Sequence, residues 1–344
     1  MQFNREWKIE NRIMLTAFIK FGDGSLSTAT DTDTLNRALR DSQCVFWLDM
    51  SKPTDEEYGL LDEVFGFHPL AIEDAVGSVE RPKIESYNHV GDAHKQGYFY
   101  MVIHGPDLES FRQQKLRTKE LDMFVSQCYL VTIHEEEMKS VAEVMSRAKT
   151  DPRMVLDPGI DLLLHSILDH LVDHYTPILD YLGDALDELE DQAADCPTRD
   201  LLSRISARKR ELLTLRRVIG PQREVLAQLT RGEVPFIREG TRIYLRDVLD
   251  HLNRAVETLE LYRDLVQGVR DIYMSSISNN LNQIMKTLTI ISVIAMPLSV
   301  VTSFFGMNFD EPLFHNHHVF IGALAFMGCA IATMLYLFHR KRWI

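Results

Sequence analysis

Two apolar runs near the C-terminus constrain the fold more strongly than any other feature of the chain. Residues 288–305 read LTIISVIAMPLSVVTSFF and residues 319–338 read VFIGALAFMGCAIATMLYLF, and neither run contains a charged side chain. Each approaches the roughly 20 residues that an α-helix needs to cross the hydrocarbon core of a bilayer. We therefore expect a hairpin of two transmembrane helices, over 288–308 and 319–338, joined by an outer loop at 309–318.

The distribution of charge predicts how this hairpin is oriented. The net charge is −13 over 344 residues, which argues against a nucleic-acid partner because phosphate binding needs a basic surface. The tail at 339–344 is basic, and basic segments stay on the cytoplasmic side. A two-helix hairpin returns to the side that it left, so both termini are expected in the cytoplasm, with the hairpin in the lipid bilayer of the inner or plasma membrane.

Other sequence signals narrow the class further. The N-terminal residues lack the layout of a secretory signal, so insertion is expected to depend on the C-terminal helices. The four cysteines are scattered and form no C-x-x-C pair, which indicates a reducing compartment without a disulfide or zinc framework.

The first 157 residues have the pattern of a cytoplasmic α/β domain. Segments rich in β-branched and aromatic residues predict strands at 13–21, 44–50, 97–104 and 121–134, and Ser126-Gln127 is a candidate hairpin turn within the last of these. Helices are predicted between them at 55–65, 68–75 and 137–149. The order of the strands cannot be read from the sequence.

Residues 158–240 predict a helical hairpin, and residues 241–287 predict the stalk of a longer helix. Apolar residues at three- and four-residue steps favour one helix over 160–193 with an acidic face, kinked at Pro177. A basic helix follows to about residue 231, capped by Thr198 or Asp200, and the two form a predicted antiparallel pair. A third helix is expected from Thr241 to Phe305 without a break, a rod of roughly 100 Å that would carry a cytoplasmic signal into the membrane.

A stripe of small, polar and methionine side chains follows one face of this third helix as it enters the membrane. It comprises Asn282, Met285, Thr289, Ser292, Met296, Ser299 and Ser303, at steps of three or four residues. Two interpretations stay open from the spacing alone. Small and hydroxylated residues mediate packing between membrane helices. The same residues also suit the lining of a pore, which a chain with two membrane helices can enclose only as a ring of identical subunits.

Asn308 lies where such a ring would close at its outer end. A carboxamide oxygen can hydrogen-bond the waters that Mg²⁺ retains, without removing them. Carboxylates would bind the ion more tightly, and conduction needs weak binding. Gly306 allows close approach of backbones where the helix ends. The alternative interpretation of Asn308 is a helix cap or an ordinary loop amide.

In combination these residues resemble the CorA family of divalent-cation channels. The resemblance rests on KTLTIISVIAMPLSVVTSFFGMNF, the second apolar helix and the terminal HRKRWI, with weaker similarity at residues 68–74 and 81–85. It implies an α+β membrane protein: an N-terminal cytoplasmic α/β domain, long stalk helices and a two-helix transmembrane hairpin, assembled as a homopentameric funnel. It also implies transport of Mg²⁺, with Co²⁺ and Ni²⁺ also carried.

The resemblance implies roles for particular residues. Gly306, Met307 and Asn308 match the family signature, with Asn308 in the outer selectivity ring. The resemblance assigns Leu288 to the pore lining instead of its neighbour Thr289. Of the residues in the lining, Met285, Leu288 and Met296 would form constrictions. The full set is Asn282, Met285, Leu288, Ser292, Met296 and Ser299.

The resemblance also implies regulatory Mg²⁺ between neighbouring cytoplasmic domains. The matching acids are Asp74, with Glu73 beside it, facing Asp247 of the next subunit, while Asp169 and Asp173 are further candidates. Like charges at a subunit interface repel, and a divalent ion between them offsets the repulsion. Such an ion would hold the pore closed if it binds the closed state better than the open one. For any single acid, an ordinary solvated helix face is the alternative.

The outer loop departs from the family pattern. Asp310 and Glu311 retain acidic charge, which would raise the local concentration of cations. His315, His317 and His318 are unusual here and represent either a transition-metal site or an exposed polar turn. Because the signature itself is intact, Mg²⁺ is favoured over Zn²⁺ as the transported ion.

The sequence thus predicts a passive, membrane-potential-driven Mg²⁺ channel that needs no organic cofactor and is gated by cytoplasmic Mg²⁺. A cobalt, nickel or zinc transporter on the same scaffold is the first alternative. A membrane-anchored enzyme or scaffold is the second, and we expect no enzyme because neither a phosphate-binding glycine loop nor a nucleophile–base pattern occurs.

Overall fold

The computed structural model describes residues 14–79, 81–87, 97–112, 116–307 and 317–343. The chain packs as two compact units: unit 1 comprises Met1–Leu189 and Ser203–Gln267, and unit 2 comprises Glu190–Leu202 and Gly268–Ile344. Unit 1 contains a seven-stranded sheet and most of the helices. Unit 2 contains the apolar segments of the two helices that, among the described residues, are long and apolar enough to cross a membrane.

The strands of the sheet occur in the order β2-β1-β3-β7-β6-β5-β4. Among the described strands, β3 and β7 are parallel, and the other neighbours are antiparallel. Their bounds are β1 Met14–Lys20, β2 Leu26–Ser27, β3 Val45–Ser51, β4 Lys83–Tyr87, β5 Tyr98–Pro106, β6 Thr118–Val125 and β7 Tyr129–His134. The four predicted strand regions are therefore confirmed, including the hairpin between β6 and β7, whereas β2 and β4 were not predicted.

Helices cover both faces of this sheet. The first group consists of α1 Thr32–Arg40, α2 Asp55–Glu63 and α3 Pro69–Val76. Its apolar residues form one core with alternate residues of the strands, such as Phe46, Leu48 and Val102. The second group consists of α5 Lys139–Thr150, α6 Arg153–Leu156 and α7 Ile160–Asp173; α6 and α7 contact the strands, and α5 packs against both of them. A short helix, α4 Leu108–Arg112, follows β5. Alternation along the strands thus produces the α/β domain that the sequence predicted.

The expected single helix over 160–193 is wrong, because the structure contains two helices. Helix α7 ends at Asp173, and α8 runs over Thr176–Asp195. Pro177 has no N–H to continue the ladder of the preceding helix. The hydroxyl of the buried Tyr175, between the two helices, donates to the carbonyl of His104 at 2.6 Å. That bond fixes the break against strand β5.

Helices α8 and α9 confirm the predicted contact between an acidic and a basic helix. Helix α9 spans Arg199–Arg231. Its first turn is capped by Thr198, whose hydroxyl accepts from Leu201 N at 3.4 Å, as one of the two predicted caps. Arg204 of α9 lies 3.4 Å from Glu188 of α8.

Helix α10 is continuous over Glu239–Phe305, 67 residues, with Pro297 inside it, as predicted. It begins in unit 1 and ends in unit 2. Helix α11 spans His317–Arg340. Among the described residues, α10 and α11 are the two helices long and apolar enough to cross a membrane.

Candidate ion pathway and regulatory site

The predicted pore stripe occupies the side of α10 that the rest of the chain leaves uncovered. The six residues that the resemblance assigns to the pore lining are all exposed, and Met296 is 72% exposed. The half-buried residues of the same segment are Lys286, Ile290, Ile294, Leu298 and Val301. At 3.6 residues per turn the two stripes are centred about 170° apart. Neighbours such as Val300 are as exposed as the predicted lining, so exposure alone does not identify the lining. Because the lining lies opposite the half-buried residues, it is free to face other subunits.

The hydroxyl groups near this stripe fall into two classes. Thr289 and Thr302 donate to carbonyls one turn back, at Met285 O (2.7 Å) and Leu298 O (2.9 Å). Within the part of the chain that the structure describes, no hydrogen bond involves the hydroxyl of Ser292 or Ser299. These two serines therefore have hydroxyls available to water, which suits contact with a hydrated ion.

Gly306 closes the membrane helix tightly. Its N–H donates to Thr302 O at 2.9 Å, and Met307 N donates to Phe304 O at 3.3 Å. A Cβ at residue 306 would lie 3.2 Å from Thr302 O, closer than most side chains approach a carbonyl. Asn308, Asp310, Glu311 and His315 lie outside the described residues. Helix α11 begins at His317, and His318 in its first turn is exposed.

Asp74, the first of the predicted regulatory acids, is paired within its own chain. It lies on α3 with its carboxylate 2.5 Å from Lys83 Nζ on β4, and its side chain is 32% exposed. Lys83 also contacts Glu85 at 3.0 Å. Burial acts to lower the pKa of Lys83, but its hydrogen bonds to Asp74 and Glu85 outweigh burial, so the pKa is raised. The neighbouring Glu73 is exposed.

The other predicted acids lie around two histidines, His251 on α10 and His165 on α7. His251 Nδ1 lies 3.3 Å from Asp173, and its Nε2 lies 3.8 Å from Asp247, one turn earlier on α10. Burial lowers the pKa of His165, although the nearby Asp169 and Asp247 act in the opposite direction. The structure thus brings Asp169, Asp173 and Asp247 to one region of unit 1, with Asp247 itself exposed.

No single chain gathers a complete metal site from these residues. Among the described residues there is no group of three or more His, Cys, Asp or Glu side chains placed to hold a metal ion. The sequence also missed the partners of the acids. The contact of His251 with Asp247 could have been predicted from their four-residue spacing on one helix. The contact of Lys83 with Asp74 could not, because it depends on the position of strand β4.

A buried carboxylate positions the helix that carries Asp247. Asp161, in the first turn of α7, is 4% exposed and accepts from Arg238 Nε at 2.8 Å, Arg238 N at 3.1 Å and Thr241 Oγ1 at 2.6 Å. Burial acts to raise the pKa of Asp161, but these bonds outweigh burial and lower it. The start of α10 is therefore fixed to the start of α7. Helix α7 also carries Asp169 and Asp173, nearer to its end.

Comparison with known proteins identifies this architecture. The model of the family described as CorA-like Mg²⁺ transporter protein matches residues 42–340. The chain belongs to the CorA family. It is accordingly a transporter of divalent metal ions, with an α/β domain, a long helix and an apolar C-terminal helix as the family fold requires.

Named CorA relatives align over nearly the whole chain. The cobalt/magnesium transport protein CorA of Thermotoga maritima is 34% identical over 310 residues, which are 89% of this chain and 85% of that protein. The putative metal ion transporter YfjQ of Bacillus subtilis is 34% identical over 87% of this chain and 89% of its own length. The complete structure of the CorA magnesium transporter from Methanocaldococcus jannaschii superposes with a TM-score of 0.79 at 26% identity, covering 97% of this chain and all of that one.

Proposed function

We propose that this chain forms a homopentameric channel that admits hydrated Mg²⁺ passively and closes when cytoplasmic Mg²⁺ is high. The observation that carries the proposal is the position of the predicted pore stripe, on the side of α10 away from its half-buried face. A ring of subunits would turn this side toward a common axis, with Ser292 and Ser299 contacting water around the ion. Mg²⁺ is favoured because relatives named for cobalt and magnesium transport align over nearly the whole chain.

In this proposal Asn308 selects ions at the outer mouth. Its carboxamide would hydrogen-bond the water shell of Mg²⁺, while Asp310 and Glu311 raise the local cation concentration. Further along the pore, Met285, Leu288 and Met296 form apolar constrictions that gate by excluding water. Both termini are placed in the cytoplasm, since the basic tail at 339–344 is retained there.

Cytoplasmic Mg²⁺ is proposed to bind between Asp74 of one subunit and Asp247 of the next. Support comes from the exposure of Asp247, which is 72% at its side chain, and from the convergence of Asp169 and Asp173 on the same region. With the ion bound, repulsion between the acids is offset and the closed state is favoured. Glu73 is a neighbour that adds negative charge to the α3 side of the site.

The selectivity proposal is tested by Asn308→Ala in proteoliposomes that report the influx of Mg²⁺, Co²⁺, Ni²⁺ and Zn²⁺. We expect loss of Mg²⁺ influx or of its preference over the other ions. Asn280→Ala removes an exposed carboxamide from the same helix outside the predicted lining; it is the matched control and should behave as wild type. Unchanged influx and ion ranking in Asn308→Ala would remove Asn308 from the selectivity site, and the absence of any ion influx in wild-type vesicles would reduce the hairpin to an anchor. Entry of Zn²⁺ but not Mg²⁺ into wild-type vesicles would support the zinc alternative.

The gating proposal is tested by Asp247→Ala. Patch recordings should require a severalfold higher cytoplasmic Mg²⁺ concentration for half-inhibition, because one ligand of the closed state is lost. Asp250→Ala removes an exposed acid from the same helix, close to Asp247, and should leave inhibition unchanged. Equal inhibition curves for the two variants would remove Asp247 from the site.

A further inference from the structure

One end of the hairpin in unit 2 carries a cluster of positive charge with no acid near it in sequence. The cluster consists of Lys286 on α10 and Arg340, Lys341 and Arg342 at the end of α11. No Asp or Glu occurs over residues 272–307 or 317–343. The three tail residues are exposed, and Lys286 is half-buried. The cluster is thus a concentrated basic surface that no carboxylate of these two segments neutralises.

The tail that carries these charges has a fixed conformation. Trp343 N donates to Phe338 O at 2.9 Å, and Arg342 N donates to His339 O at 3.0 Å. This pair of bonds is a Schellman motif, which ends a helix and satisfies its last carbonyls. The rings of Phe338 and Trp343 stack with centroids 5.7 Å apart, as the apolar contact that accompanies such a motif.

Arg342 occupies the position of this motif that is usually glycine. Its φ is 57°, in the left-handed region that L side chains rarely adopt. Orienting a membrane hairpin needs only that positive charge stays on one side, which a flexible tail supplies equally well. A charged residue held in a strained backbone conformation indicates that the placement of its charge matters, and not its presence alone.

Lys286 joins the tail to the other membrane helix. Its Nζ donates to the carbonyl of Arg342 at 3.0 Å. Lys286 lies two residues before the apolar run at 288–305, and Arg340 ends the candidate span Ile321–Arg340. In a bilayer spanned by these two helices, the four cations would lie at the boundary of the hydrocarbon core. Trp343, 39% exposed, is a residue type that prefers this depth.

We propose that Lys286, Arg340, Lys341 and Arg342 bind the headgroup of an anionic phospholipid between the ends of α10 and α11. Basic residues next to a membrane helix attract the negative headgroups of the same leaflet. The apolar surfaces of both helices begin at the cluster, so the acyl chains of a bound lipid would lie along them. Placement in the cytoplasmic leaflet rests on the topology of the proposed function, whereas binding itself does not require transport.

The test counts phosphatidylglycerol bound to the detergent-solubilised full-length protein by native mass spectrometry during a lipid titration. Arg342→Gly keeps a residue that favours the left-handed conformation but removes the charge, and it should raise the lipid concentration for half-occupancy about fivefold. Arg342→Lys should bind as wild type. Lys209→Gln, which removes an exposed charge on α9, is the control for net charge and should also bind as wild type.

Three results would overturn the proposal. They are equal occupancy in Arg342→Gly and Lys209→Gln, equal occupancy by phosphatidylcholine, and displacement of the lipid by inorganic phosphate, which would indicate a site for the free ion. Tryptophan fluorescence, compared between Arg342→Gly and wild type in a background in which Trp343 is the one tryptophan left, reports whether the tail keeps its fold. Because lipid binding is counted without any flux, loss of Mg²⁺ transport with retained phosphatidylglycerol would contradict the proposed function alone.

Discussion

Lys83 determines how much of the negative charge of Asp74 is available to an ion. Its ammonium lies 2.5 Å from the Asp74 carboxylate, and both side chains are about one-third exposed. A cation at this distance competes with Mg²⁺ for the same carboxylate. Water screens the pair only partly at this exposure, so the competition is expected to be measurable.

We therefore predict that Lys83→Met strengthens inhibition by cytoplasmic Mg²⁺. The concentration for half-inhibition should fall roughly three- to tenfold, because the divalent ion no longer meets a positive charge at its ligand. Lys20→Met is the matched control, since Lys20 forms a 2.7 Å pair with Asp157 and is similarly exposed at 32%. If both variants have the same inhibition curve, Asp74 is not a ligand of the regulatory ion.

The comparison of Asp74 with Asp247 explains which site contacts could be predicted from sequence. Asp247 and His251 are four residues apart on one helix, so their proximity follows from helical geometry. Lys83 approaches Asp74 through strand β4, which is partly exposed and was not predicted. Register between α3 and an edge strand depends on tertiary packing, and no local pattern encodes it.

At the scale of elements, Asp161 joins α7 to α10. We predict that Asp161→Asn lowers the stability of the detergent-solubilised protein at pH 7 by about 1–3 kcal/mol, since charge-assisted bonds to Arg238 and Thr241 are weakened. The pKa of Asp161 is lowered in the folded state, so its contribution is present above the ordinary value near 3.9 and is lost as pH falls through the folded-state pKa.

The measurement is thermal unfolding of both proteins at pH 7 and near pH 3. The difference between wild type and Asp161→Asn should shrink at the lower pH. Asp157→Asn weakens the Lys20 pair, in which both side chains are at least about one-third exposed, and should cost under about 1 kcal/mol. A loss that persists undiminished at low pH would show that the ionised carboxylate is not what fixes α10.

Helices differed in how well their extents could be predicted. Helix α10 was predicted within two residues at its start, because its apolar periodicity continues without a breaker outside the membrane segment. The division between α7 and α8 was missed, since apolar spacing continues through it. Pro177 indicated a kink, but the bond from Tyr175 to His104 O, which converts the kink into a break, joins residues 71 apart in sequence.

At the scale of the whole molecule, the two compact units share helix α10, which contains both Asp247 and the pore stripe. The proposed regulation uses this continuity, because loss of Mg²⁺ near Asp247 and opening near Met296 would be movements of one element. The strand order and the side chains around Asp161 emerged only from the fold. The α/β domain, the long helix and the hairpin could be predicted because each depends on local periodicity or hydrophobic length.

The drive for transport is a property of the whole assembly in its membrane. A potential of 100 mV is worth about 2.3 kcal/mol per elementary charge, or about 4.6 kcal/mol for a divalent ion, which corresponds to roughly 2,000-fold accumulation. We predict that proteoliposomes with a K⁺ diffusion potential, negative inside, accumulate Mg²⁺ without ATP. Collapse of the potential should stop accumulation at equal concentrations on both sides, and vesicles without protein define the background leak. Accumulation that survives collapse of the potential, or that needs ATP, would contradict a passive channel and indicate coupling to another energy source.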